Sequence, residues 1–177
     1  IDASIAASPE RIPIYFFKAQ ILLNRGDKEN ALATLKFAKE ISLSYSDTYC
    51  QLSRYYFHFE MEKEGMAEMD QCIDMGGAAS VGPPEYLVQL LKKYEARKDY
   101  KRMLLLAEAM SGLDPKNTDT WINLAKLYKE NGRLDDARNA AIKAAEINPK
   151  LKSAADEFIA SLKKDSNIFG DKVENKK

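Results

Sequence analysis

The side chains in this sequence best suited to chemistry are His58, Cys50, Cys72 and a few clustered carboxylates. A Ser-His-Asp or Cys-His arrangement would have to be built on His58, the only histidine, acting as a base toward a hydroxyl or thiol within hydrogen-bond reach. Cys50 precedes it by two helical turns, a rise of about 12 Å, which is too far for proton transfer along one helix. His58 therefore reads as a groove or surface histidine. The cysteines make no CxxC pair, and one histidine cannot complete a zinc set. Two readings remain for them: small buried or groove-lining side chains, which is favoured, or a disulfide, which would need an oxidising compartment. Asp135-Asp136 falls at the start of a predicted helix, where negative charge is favourable without any catalytic role. The mixed-sign run from Glu60 to Glu64 reads as a solvated turn. Gly76-Gly77 is followed by no Gly-Lys-Ser/Thr, so a phosphate loop is not supported. No enzyme, cofactor or metal site is expected from this set.

Composition narrows the partners. The chain has 177 residues, 45% hydrophobic and 31% charged, and its 27 basic residues are balanced by 27 acidic ones. Zero net charge removes the electrostatic argument for nucleic acid or an anionic membrane surface. No apolar run approaches the roughly 18 residues of a membrane helix, so no membrane insertion by this chain is expected. The chain opens at Ile1 and not at Met, and we expect it to be a piece of a longer protein with repeats or another domain upstream.

The elements that would position any site are helices. From Thr118 to Leu151, Trp121, Leu124, Ala125 and Tyr128 share one helical face, Asn131-Gly132 ends that helix, and Ala137, Ala141 and Ala144 face it from a second helix that stops before Pro149. Trp121 is expected to be largely buried. The order Trp, Leu-Ala, Tyr, Ala, Ala, Pro at these spacings resembles a tetratricopeptide repeat (TPR), whose period is about 34 residues. Leu87, Leu90, Leu91, Tyr94, Met103 and Ala107 repeat the pattern one period earlier. Tyr15, Ala19, Leu22, Ala31, Leu35 and Ala38 do so near the start, as do Tyr49, Leu52, Ser53, Tyr56, Gly65, Met69 and Cys72 after them. Asp27 is placed to cap a helix, Leu43 stands where proline is expected, and the turn at Glu60 to Lys63 lacks its glycine.

The resemblance implies an all-α TPR solenoid of antiparallel helical hairpins. Its expected parts are a partial repeat at 1–11, repeats at 12–45, 46–79, 84–117 and 118–151, a capping helix at 152–164, and a disordered tail at 165–177. The Gly/Pro-rich stretch Gly76 to Pro84 is expected to bend the array without dividing it into domains. The function implied is non-catalytic binding of a protein or peptide. In such arrays the first helix of each hairpin lines a concave face. The matching residues here are Phe16, Phe17 and Gln20; Cys50, Gln51, Arg54, Phe57 and His58; Val88, Gln89 and Lys92; and Ile122, Asn123 and Lys126. Arg54, Lys92 and Lys126 occupy equivalent places and would suit an acidic extended segment. The alternative is that Lys92 pairs with Glu95, and Lys126 with Glu130, as solvated ion pairs. The lysine, asparagine and arginine set with which some TPR co-chaperones clamp a C-terminal carboxylate is not reproduced.

A narrower resemblance rests on Ser8 to Phe16, Met69 to Gly77 and Ile122 to Arg133. These segments are similar to C-terminal TPR regions of bacterial membrane proteins of the O-antigen ligase or polymerase type. Such a parent would make this chain a regulatory or substrate-presenting part of an enzyme whose chemistry lies elsewhere.

Overall fold

The computed structural model describes residues 1–9, 11–42 and 45–170, with side chains as far as Leu162. The chain divides into two units, Ile1–Gly82 and Pro83–Lys177. At the boundary between them, Gly76 is left-handed and Pro83-Pro84 cannot continue a helix.

The first unit holds a short α1 (Asp2–Ala7), then the hairpin α2 (Ile12–Asn24) and α3 (Lys28–Ile41), then α4 (Ser46–His58) and α5 (Glu62–Asp74), and a 3₁₀ turn at Gly77–Ser80. Ala19, Ala31, Leu35, Leu52, Tyr55 and Tyr56 form one buried cluster, and Ile12, Tyr15 and Ala38 form another. The second unit holds α6 (Pro84–Ala96), α7 (Tyr100–Leu113), α8 (Thr118–Glu130), α9 (Leu134–Ile147), a 3₁₀ turn at Pro149–Leu151, and α10 (Lys152–Gly170). Its core contains Leu104, Ala107, Leu124, Ala125, Leu127, Ala140 and Ala141, with Phe158 and Ile159 of α10 packed on it. No helix among the described residues is long and apolar enough to cross a membrane.

α10 extends past its expected end near Lys164, because no proline or glycine interrupts the sequence until Gly170. The stretch expected to be disordered from Asp165 thus begins in helix; residues 171–177, like Leu43, lie outside the described residues. Trp121 is mostly buried, packed against the core of the second unit without being fully enclosed, and its indole Nε1 donates to the Pro115 carbonyl at 2.8 Å. Truncation to alanine should therefore cost less than the about 3–5 kcal/mol of a full core site.

The cysteines also depart from the favoured reading. Cys50 on α4 and Cys72 on α5 are joined in a disulfide across the hairpin, with their Cα atoms 5.1 Å apart. Both are fully buried, and both sulfurs press on the 3₁₀ turn. A Cβ added at Gly77 would lie 2.9 Å from Cys50 Sγ, 3.0 Å from Cys72 Sγ and 2.8 Å from the Cys72 carbonyl oxygen. The sequence spacing of the cysteines gave no sign of this pairing, since it depends on the antiparallel packing of two helices. Reducing the bond should lower the stability of the first unit by about 3 kcal/mol, because a closed loop of this size constrains the unfolded chain. Denaturation midpoints with and without dithiothreitol, compared with a Cys50→Ser/Cys72→Ser control insensitive to reductant, measure it.

Each hairpin closes in the same way. After α2, Gly26 is left-handed, its N–H donates to Leu23 O at 2.9 Å, and Asp27 N–H donates to Leu22 O at 2.9 Å. Gly132 and Arg133 do the same after α8, on Lys129 O at 3.0 Å and Tyr128 O at 2.8 Å. After α4 and α6 the left-handed position is held by Glu60 (φ 60°) and Lys98 (φ 54°), with Met61 N–H on Tyr56 O at 2.9 Å and Asp99 N–H on Tyr94 O at 3.0 Å. These 6→1 and 5→2 bonds satisfy the carbonyls left free at a helix end, and they demand a conformation that costs a non-glycine residue about 1–2 kcal/mol. Glu60→Gly and Lys98→Gly should each stabilise the protein by up to about 1 kcal/mol. A fall in the urea midpoint for either variant would show that its side chain contributes more than the strain it introduces.

A cavity on the first-helix face of the second unit

Two facing positions decide how closely the helices of a hairpin approach. In the first unit they are Ala19 and Ala31 for one hairpin, and Ser53 and Gly65 for the other, all buried. Ser53 Oγ reaches across to donate to the Gly65 carbonyl at 2.7 Å. In α8 and α9 they are Ala125 and Ala137, again buried. In α6 and α7 the equivalent places carry Leu91 and Met103, and these two helices pack less closely. One period-position further along α7, Ala107 is too small to fill the space that opens.

The result is a cavity of about 390 Å³ bounded by α6, α7 and α8. Leu91, Met103, Ala107 and Leu127 supply apolar walls, and Val88, Met110, Thr120 and Asn123 lie toward one end. At the other end, Asn131 Nδ2 donates to the Tyr100 carbonyl at 3.0 Å, which fixes the C-terminal end of α8 against the start of α7. Tyr100, Glu95 and Glu130 line that end, and Lys92 and Lys126 lie between the two. All four charged side chains are exposed. Among the described residues, none of the four enters an ion pair, so the pairs Lys92–Glu95 and Lys126–Glu130 do not form. A second cavity of about 210 Å³ adjoins along α8, walled by Ile122, Ala125, Ala141, Ala144, Ala154, Ala155 and Phe158. Lys126 lines both.

Four of the residues matched to a concave face, Val88, Lys92, Asn123 and Lys126, thus come together at one opening, and Ile122 lies at its neighbour. Gln89 is exposed and lines neither. In the first unit most of the matched residues contact other side chains of the chain itself. Phe16 packs on both buried clusters, and Gln20 accepts from the Tyr55 hydroxyl at 3.1 Å. Phe57 lies over Gly65, where a Cβ would meet its ring at 2.8 Å. Cys50 is in the disulfide, and the His58 ring lies tilted beside Phe59 with the ring centroids 5.5 Å apart. Gln51 is half-buried, Arg54 has a buried Nε without a hydrogen-bond partner, and Phe17 is 63% exposed. Sequence reasoning missed Glu95, Tyr100, Met103, Met110 and Glu130. The legible signal was the pair Leu91 and Met103 standing where the other hairpins carry small residues.

Beside the cavity, a polar network joins α7, α8 and α9. Tyr128 donates its hydroxyl to Glu108 Oε1 at 3.0 Å, Arg133 donates to the same carboxylate at 2.9 Å and to Asp136 at 2.7 Å, and its guanidinium lies 4.6 Å over the Tyr128 ring. Burial, then the hydrogen bond to Glu108, pushes the Tyr128 phenol up to about 12. A group whose folded pKa exceeds its unfolded value stabilises the fold fully below the unfolded value, and that contribution is lost as pH rises through the folded one. The stability of the second unit should therefore fall between about pH 10 and 12, and Tyr128→Phe should flatten the decline. Urea midpoints across that range test it, and parallel curves for both proteins would remove Tyr128 from the account.

Known proteins match in two ways. Tetratricopeptide repeat models match residues 94–162 and residues 12–45. Among solved structures, YrrB, described as a TPR protein with an unusual peptide-binding site, is 19% identical, covering 94% of this chain and 83% of that one at a TM-score of 0.49. MamA from Desulfovibrio magneticus RS-1 is 15% identical, covering 94% and 97% at a TM-score of 0.42. PilF of Pseudomonas aeruginosa is 20% identical, covering 89% and 70%, also at 0.42. No curated protein matches. With repeat models matching in both units and an all-helical hairpin architecture between them, this chain belongs to the tetratricopeptide-repeat family.

Proposed function

We propose that this chain is a protein- or peptide-binding scaffold, and that its second unit holds an extended segment of the partner, through an acidic residue of that segment, against α6 and α8. The observation that carries this reading is the apolar-walled cavity whose rim bears Lys92 and Lys126 outside any ion pair. An apolar side chain of the partner enters the opening, a carboxylate lies between the lysines, and Asn123 offers an amide to the partner's backbone. Cations left unpaired at a rim raise the association rate and select the sign of the ligand more than they add to affinity.

A second reading is attachment to a membrane glycan ligase or polymerase, as its regulatory or substrate-presenting part. It rests on the sequence resemblance, and the Cys50–Cys72 disulfide favours it, since such bonds persist in oxidising spaces such as the bacterial periplasm.

The test uses the whole chain and a fluorescein-labelled peptide with a central Leu-Gly-Asp in a Gly/Ser background. Lys92→Glu/Lys126→Glu should weaken binding about tenfold at low salt and remove most of its salt dependence, with the helical circular dichroism unchanged. Equal binding by the double variant would end the proposed role of the lysines.

A further inference from the structure

The rim of the larger cavity carries both signs, and they are separated in space. Along α6 the order is Val88, Lys92, Glu95, and along α8 it is Asn123, Lys126, Glu130. The two helices present these residues to one opening in the same order, because Glu95 and Glu130 both lie at the Tyr100 end, held there by the bond from Asn131 to the Tyr100 carbonyl. The opening is therefore graded from an uncharged end at Val88, Met110 and Thr120, through the two lysines, to the two glutamates. A purely acidic segment would satisfy the lysines and then run into Glu95 and Glu130.

Resting on the binding reading above, we propose that the ligand of this cavity is an extended segment of mixed charge, with its acidic residue flanked on one side by an apolar residue and on the other by a basic one. The spacing follows from helix and strand geometry. Val88 to Lys92 is a rise of about 6 Å, and Lys to Glu is about 4.5 Å on α6 and about 6 Å on α8. Same-side residues of an extended chain are about 6.6 Å apart. The recognised pattern is apolar-x-acidic-x-basic, or its reverse if the segment runs the other way. The apolar side chain meets Val88 and Met110, the carboxylate lies between Lys92 and Lys126, and the cation lies between Glu95 and Glu130. The order discriminates as much as the composition, since a basic residue in the middle would face the lysines.

Fluorescence anisotropy with three synthetic peptides in one Gly/Ser background tests this, their centres being Leu-Gly-Asp-Gly-Lys, Leu-Gly-Asp-Gly-Asp and Leu-Gly-Lys-Gly-Asp. The first should bind at least fivefold tighter than either of the others to the whole chain. Glu95→Gln/Glu130→Gln should erase its advantage over the second while leaving the second bound as well as before or better. Lys92→Gln/Lys126→Gln should weaken both. All four side chains are exposed, so these variants keep the fold, which circular dichroism checks. If the doubly acidic peptide binds as tightly as the first, the mixed-charge proposal is overturned while the binding face stands. If none of the three binds at millimolar concentration, both fall.

Discussion

The distance at which the two helices of a hairpin meet is the constraint on which the rest of this structure depends. Where the facing side chains are Ala19 and Ala31, Ser53 and Gly65, or Ala125 and Ala137, the backbones approach closely, and the Ser53 hydroxyl can reach the opposite carbonyl. Leu91 and Met103 are too large for so close an approach. The same substitution that loosens the α6–α7 hairpin also lines the opening it creates, so the cavity is a consequence of core volume and not of a specialised loop.

Most of the fold was legible because it is periodic. Trp121, Leu124, Ala125 and Tyr128 lie on one helical face whatever their surroundings, and Gly26, Pro115, Gly132 and Pro149 mark where their helices stop. What the sequence hid depends on contacts between elements. The Cys50–Cys72 bond requires α4 and α5 to be antiparallel at a certain register, and spacing along the chain carries no such information. Trp121 shares the face of Leu124 but sits at the helix start, where its indole Nε1 donates to the Pro115 carbonyl. Two turns close without a glycine. Glu60 and Lys98 take the left-handed conformation because the two backbone bonds that close the hairpin outweigh the strain.

The candidate site was legible in part for a related reason. Positional matching could say which residues leave the first helix on one side, but not whether they are free once there. In the first unit large side chains answer that question: Phe57 folds over Gly65, Phe16 joins the core, and Gln20 is engaged by Tyr55. In the second unit Val88, Lys92, Asn123 and Lys126 are exposed and line the opening. They remain at a rim.

The rim charges illustrate how little a helical spacing decides. Lys92 with Glu95, and Lys126 with Glu130, have the separations of stabilising pairs, yet such pairs are worth only tenths of a kcal/mol on an exposed helix. A term that small is overridden by the preference of each side chain for its own rotamer and for water. The outcome reverses the meaning of the sequence pattern. Four charges that would have cancelled in pairs instead stand as two like-signed pairs across an opening, one of lysines and one of glutamates. None of the four enters an ion pair among the described residues, so each keeps its charge available to water at the opening.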